Sequence, residues 1–209
     1  MQSEPTTAPT PRLGILLSGR GSNFLAIHEA IVEGGLPAAI VAVISNQPLA
    51  AGIRRAETLG YSCWTISHRD FPSRDAHEEK VAAVLEAQRV DYVVLAGYMR
   101  LLSSRLIGGF RNRILNIHPS LLPAFPGVDA QRQAWEHGVR VSGCTVHLVD
   151  EGLDQGPIIV QSCVPVEEGD SPESLAERIL VEEHRAYPEA IRQICTRHWK
   201  IEGRRVVFP

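Results

Sequence analysis

Leu13-Gly-Ile-Leu-Leu17, running on through Ser18-Gly-Arg-Gly-Ser-Asn23 into Phe24-Leu-Ala-Ile-His-Glu-Ala-Ile-Val32, is the stretch whose reading decides the fold. Its first five residues are an unbroken apolar run, the mark of a strand buried on both faces. The glycine-bearing turn leads directly into a helix-like pattern. Strand, glycine-rich turn and helix together make an anion site. Free backbone N–H groups at the helix start point toward a phosphate, and the helix dipole adds to the attraction. Glycine lets the backbone approach without a Cβ in the way. The turn begins like a dinucleotide fingerprint, with Gly19 and Gly21, but the third glycine would fall at Phe24. The next apolar run, Ala39 to Ser45, ends in Asn46 and not in the acid that would hold a ribose. A single phosphate therefore fits better than a pyrophosphate. The plain structural alternative is a tight turn with a helix cap at Ser22 or Asn23.

Outward from this unit the alternation continues. Ala50 to Leu59 reads as a helix, Ser62 to Ile66 as a strand, and Ser73 to Gln88 as a long helix with Ser73 as its N-cap. Asp91-Tyr-Val-Val-Leu95 is another buried-strand run. Repeated strand–helix units predict an α/β fold, Rossmann-like, with a mostly parallel central sheet and helices on both faces. In such sheets ligands lie outside the C-terminal ends of the strands. Gly19–Asn23, Ala96–Leu102 and Asn116–Pro123 all fall on that edge.

The third of these segments, Ile114-Leu-Asn-Ile-His-Pro-Ser-Leu-Leu-Pro123, starts as a strand and is broken by two prolines. Side chains alternate along a strand, so Leu115 and Ile117 face one way and Asn116 and His118 the other. That polar pair combines an amide with a base that titrates near neutral pH. Farther on, Val141 to Asp150 alternates, with Cys144, Val146 and Leu148 on one face and Thr145, His147 and Val149 on the other. His147 reads as a structural or supporting residue, and the remaining histidines as surface or packing groups. The loop Glu151-Gly-Leu-Asp-Gln-Gly-Pro157 and the strand Ile158 to Cys163 complete a hairpin-like pair, so the C-terminal half carries antiparallel strands. A helix begins at Ser171-Pro-Glu-Ser and extends toward Ile194 with a break expected at Pro188. Trp199 to Phe208 reads as a small hairpin turning at Glu202-Gly203.

Composition limits the function classes. A hydrophobic fraction of 44%, a charged fraction of 22% and a net charge of −3 describe an ordinary globular chain without the basic footprint of a nucleic-acid binder. No apolar run approaches the ~20 residues of a membrane span. Residues 1–12 are polar and Pro/Thr-rich, without the apolar core of a secretory signal. They read as a disordered tail on a cytoplasmic protein. Residues 13–209 read as a single domain, with a phosphate-binding half over 13–110 and a catalytic half over 111–209. Cys63, Cys144, Cys163 and Cys195 form no metal-ligand spacing and read as reduced structural thiols.

Taken together, Ser18–Asn23, Ala96-Gly-Tyr-Met-Arg100, Asn116-Ile-His-Pro-Ser-Leu-Leu-Pro123, Pro126-Gly127 and Val146-His-Leu-Val-Asp-Glu-Gly-Leu-Asp-Gln-Gly-Pro157 resemble the glycinamide ribonucleotide transformylases, also called phosphoribosylglycinamide formyltransferases. The resemblance runs from about Leu13 to the end of the chain, in order and at the family's spacing. It implies transfer of a formyl group from 10-formyltetrahydrofolate, as cosubstrate, to the amine of glycinamide ribonucleotide, with no metal. It implies Asn116, His118 and Asp154 as catalytic residues. Gly21, Ser22 and Asn23 would hold the phosphate, and Glu183 would lie near the glycinamide amine and ribose. Arg74, Met99, Arg100 and Leu102 would line the folate side together with Asn116. The implied partners are these small molecules, with no nucleic acid and no membrane, on a monomer or homodimer. Asp129 departs from the pattern, standing where many members carry His near the catalytic carboxylate. It implies added negative charge beside Asp154 and His118. Arg20 replaces an Asn of some members, which suits a phosphate.

Two other enzymes share the Asn, His and Asp. Formyltetrahydrofolate deformylase passes the formyl group to water and usually carries an N-terminal regulatory domain. Methionyl-tRNA formyltransferase carries a C-terminal tRNA-binding domain. A folate- or nucleotide-binding protein that has lost turnover is the non-enzymatic reading.

Overall fold

The computed structural model describes residues 9–209, so most of the expected tail lies outside the described residues. Strand β1 (Arg12–Leu17) starts one residue earlier than expected. Arg12 is anchored there: its backbone N–H donates to Asp91 at 2.8 Å and its guanidinium to the Gln88 carbonyl. The chain continues through α1 (Ser22–Val32), β2 (Ala39–Ser45), α2 (Ala51–Thr58), β3 (Cys63–Thr65), α3 (Arg74–Ala87), β4 (Tyr92–Leu95), α4 (Ser104–Gly109) and β5 (Ile114–His118). It then runs through α5 (Ala130–Glu136), β6 (Val141–Leu148), β7 (Ile158–Pro165), α6 (Pro172–Thr196), β8 (Lys200–Glu202) and β9 (Arg205–Val207).

The nine strands of the described residues join one sheet in the order β3-β2-β1-β4-β5-β6-β7-β9-β8. The first five are parallel, β6 is antiparallel to β5, and β7 is antiparallel to β6. This is the mostly parallel sheet with antiparallel strands in the C-terminal half that the strand–helix alternation predicts. The strand order reverses between β1 and β4, which opens a crevice at their C-terminal ends. There Ser18 N–H donates to the Gly97 carbonyl at 3.0 Å.

Alternation along the buried strands feeds two cores. Leu13, Ile15 and Leu17 point to the layer holding Phe24 and Ile27 of α1, Ile53 of α2 and Leu175, Ile179 and Tyr187 of α6. Leu16 points to the opposite layer, with Val81 and Leu85 of α3, Leu106 of α4 and Phe110 just after it. Helices thus cover both faces.

Two local expectations are corrected. Neither Ser22 nor Asn23 caps α1. Gly21 is its N-cap, in the left-handed region at φ 74°, and no side chain bonds to the helix start. Glycine is needed there for a second reason: a Cβ would meet the Gly52 backbone at 2.8 Å. Nor does Pro188 break the last helix, since α6 is continuous over 25 residues. Proline removes only one intrahelical N–H donor. The flanking residues Tyr187, Ala190 and Ile191 are fully buried against the sheet, and that packing carries the helix through.

Candidate active site

The β5 strand places Leu115 and Ile117 in the core and turns Asn116 and His118 to the other face. The sequence then reverses direction. Ser120 donates from Oγ to the Ala124 carbonyl at 2.6 Å, and Leu122 N–H donates to Thr145 Oγ1 at 3.0 Å. Thr145 in turn donates to the Ser120 carbonyl at 2.7 Å. The reversal brings the Phe125 carbonyl to 2.8 Å from His118 Nε2. A carbonyl only accepts, so Nε2 carries the hydrogen and Nδ1 is the nitrogen left to exchange protons. Nδ1 lies 3.5 Å from Asp154 Oδ2, both side chains being almost fully buried.

Asp154 reaches this point from the β6–β7 loop. Asp150 Oδ1 accepts from Gly152 N–H at 3.0 Å, and Leu148 N–H donates to the Pro157 carbonyl at 2.9 Å. Asp154 itself is in the left-handed region at φ 52°, a conformation that Asp tolerates better than most residues. Gly127 N–H donates to its Oδ2 at 2.8 Å. The carboxylate is thus aimed from both sides of the loop pair.

His147 completes the group. It lies directly across the antiparallel ladder from Asn116, so the two side chains share a face. Its Nδ1 donates to the Leu148 carbonyl at 2.8 Å, which leaves Nε2 to accept from Asn116 Nδ2 at 3.2 Å. His147 Nε2 also lies 3.8 Å from Asp154 Oδ1, beyond a hydrogen bond. Burial first of all lowers the His147 pKa, against the opposing pull of the Leu148 carbonyl and Asp154. The neutral ring fits its accepting role, and it holds the Asn116 amide with one N–H still free. The sequence pattern assigns this residue a structural or supporting role. The signal that links it to Asn116 is the β5–β6 register, which the local sequence does not state.

A histidine whose folded pKa lies below the ordinary 6.5 contributes stability that is present above that value and lost as pH falls below it. Thermal unfolding is therefore expected to show Tm falling from pH 7.5 to 5.5, with His147→Gln flattening part of that fall. Equal pH slopes in the two proteins would contradict a neutral buried His147.

At the crevice between β1 and β4 the remaining residues divide into two groups. Asn23, on the first turn of α1, donates from Nδ2 to Glu183 Oε2 of α6 at 2.7 Å. Burial raises the Glu183 pKa, and the Asn23 hydrogen bond opposes that rise. Two residues expected separately at the ribonucleotide are therefore one buried pair beside the uncapped N–H groups of α1. Met99 is 72% exposed, and its N–H donates to Ser18 Oγ at 2.9 Å. Arg100 and Leu102 follow it along the same loop, and exposed Arg74 opens α3. Asp129 is exposed at the N-cap of α5, in the left-handed region at φ 54°, and its side chain makes no capping bond. Among the described residues it forms no ion pair with His118, whose carboxylate neighbour is Asp154.

The formyl transferase family model matches residues 12–191. The phosphoribosylglycinamide formyltransferase of Bacillus subtilis (strain 168) is 40% identical over 183 residues, 88% of this chain and 94% of its own length. The trifunctional purine biosynthetic protein adenosine-3 of Drosophila pseudoobscura pseudoobscura is 48% identical over 185 residues, 88% of this chain. The chain spans only 14% of that protein's length. The crystal structure of glycinamide ribonucleotide transformylase 1 from Symbiobacterium toebii superposes with a TM-score of 0.95 at 50% identity, covering 99% of this chain and 98% of the other.

Proposed function

Because this chain belongs to the formyl transferase family, we propose that it carries the formyl group of 10-formyltetrahydrofolate to the amine of 5'-phosphoribosylglycinamide, as a cytoplasmic enzyme of purine biosynthesis. The observation that carries this reading is the meeting of Asn116, His118 and Asp154 from two distant segments in one buried group at the sheet edge. In the reaction the amine attacks the formyl carbon, a C–N bond forms, and the tetrahedral centre gathers negative charge on oxygen and positive charge on nitrogen. The free N–H of the Asn116 amide is a donor for that oxygen, held in place before the reaction begins. Collapse breaks the bond from the formyl carbon to the folate nitrogen. Over the cycle one proton leaves the attacking amine and one arrives on the departing nitrogen. His118 Nδ1 and the Asp154 carboxylate beside it are the groups suited to that exchange.

The phosphate belongs at the N–H groups of the α1 N-terminus. Gly21, Ser22 and Asn23 form the cradle, and Glu183 holds Asn23 in line. Asn23→Ala is expected to raise the KM for the ribonucleotide about tenfold while leaving the KM for the folate unchanged. Steady-state kinetics with each substrate varied in turn checks this, and a selective rise in the folate KM would reverse the two pockets.

The deciding assay supplies purified protein with 10-formyltetrahydrofolate, with and without the ribonucleotide. Folate product is expected only when the ribonucleotide is present. Equal turnover without it would make the protein a deformylase. Tight folate binding with no turnover in either case would make it a binding protein.

A further inference from the structure

The loop from Gly97 to Ser103 carries Met99, Arg100 and Leu102; Met99 is 72% and Leu101 62% exposed, while Tyr98 is buried in the layer of α3 and α4 and Leu102 packs against it. Hydrogen bonds add to that packing toward its two ends. At the first end, Ser18 Oγ accepts from Met99 N–H and donates to Asn46 Oδ1 at 2.6 Å. At the second end stands Glu78, a carboxylate only 3% exposed. Ser103 N–H donates to both of its oxygens, at 2.9 and 3.2 Å, and Ser103 Oγ donates to Oε2 as well. The same serine is the N-cap of α4, its Oγ accepting from Leu106 N–H.

A buried carboxylate is a costly way to satisfy one serine, because burial penalises charge far more than it penalises a neutral polar group. It does more here than close a loop. Glu78 lies four residues after Arg74 on α3, one turn along the same helix face. By gripping Ser103 it joins α3 to the loop, and so joins the two parts of the folate side that come from separate elements.

We propose that Glu78 is the positioning residue of the folate side, fixing the Gly97–Ser103 loop relative to Arg74 while touching neither substrate. The proposal rests on the formyl-transfer reading above. It assigns Glu78 an effect confined to one substrate, whereas loss of general stability would move both.

The test is steady-state kinetics of Glu78→Ala and Glu78→Gln, with hydrogen exchange of the loop amides on the same proteins. In Glu78→Ala the KM for 10-formyltetrahydrofolate is expected to rise about tenfold, with kcat and the ribonucleotide KM within about twofold of wild type. Glu78→Gln keeps the shape and one accepting oxygen, and is expected to lie between the two. The amides of residues 101–103 should exchange faster in Glu78→Ala while those of residues 21–23 do not change. A folded Glu78→Ala with an unchanged folate KM, or with both KM values raised together, overturns the proposal. If Glu78→Ala does not fold, Ser103→Ala takes its place. That variant removes the hydroxyl and keeps the backbone N–H, and a folate KM raised about threefold with the ribonucleotide KM unchanged is the supporting result. If the wild-type protein transfers no formyl group, the functional reading fails by itself. Hydrogen exchange then still decides whether Glu78 anchors the loop, and unchanged exchange at residues 101–103 overturns that anchor.

Discussion

Asn116→Ala and His118→Ala are each expected to lower kcat about 10²–10⁴-fold, with only modest changes in the KM of either substrate. The reason lies in what each side chain holds before substrate arrives. Asn116 Nδ2 already spends one N–H on His147 Nε2 at 3.2 Å, so its amide plane is set and its second N–H is free for an oxyanion. His118 is clamped through Nε2 by the Phe125 carbonyl at 2.8 Å, so its exchanging nitrogen faces Asp154 and nothing else that the described residues record. Neither alanine opens a large cavity in the apolar core, since both side chains lie on the polar face of β5. Single-turnover measurements at saturating substrate isolate the chemical step. Near-wild-type rates in both variants would sink the proposed mechanism.

The second large effect is expected at Gly156. A Cβ there would stand 1.8 Å from the Leu148 carbonyl oxygen and 2.9 Å from its carbon, both backbone atoms that cannot rotate aside. Gly156→Ala must therefore displace the β6–β7 loop, two residues after Asp154. Overpacking of this kind costs about 1–3 kcal/mol, or a Tm lower by roughly 2–12 °C in a chain of this size. Displacement of a catalytic group by about 1 Å costs about 10²-fold in rate, so kcat should fall by that order even in the folded fraction. Gly108→Ala is the control. A methyl there meets nothing within 4 Å, and its kcat should match wild type. A Gly156→Ala protein with wild-type kcat would mean that the loop geometry does not set the position of Asp154.

The parts of this fold legible in sequence were those written in local periodicity. The apolar runs at Leu13–Leu17, Ala39–Ser45 and Tyr92–Leu95 are strands buried on both faces, and the alternation at Leu115–His118 separates core from site. What was not legible depended on partners distant in the chain. The short helices α4 and α5 lack the length for a clear period. Gly21, in the left-handed region, takes the cap that Ser22 and Asn23 offer in sequence, and the Asn23 side chain is instead bound to Glu183, 160 residues away. Pro188 reads as a breaker until the sheet packed against its neighbours is known. His147 joins Asn116 through strand register, and Asp129 turns outward through the left-handed backbone that starts α5. In each case a tertiary contact outweighs the local preference.

The pairing of Asn23 with Glu183 also has a meaning in time. A ribosome adding about 5–20 residues per second makes the segment around Asn23 roughly 8–32 s before the helix that carries Glu183. Through that interval the proposed phosphate loop has its glycines and its helix start but not the acid that holds its asparagine. On the proposed reading the ribonucleotide pocket stays unfinished until α6 is made. Ribonucleotide affinity would then appear late in synthesis, after α6 has emerged and docked, and would report completion of the whole fold.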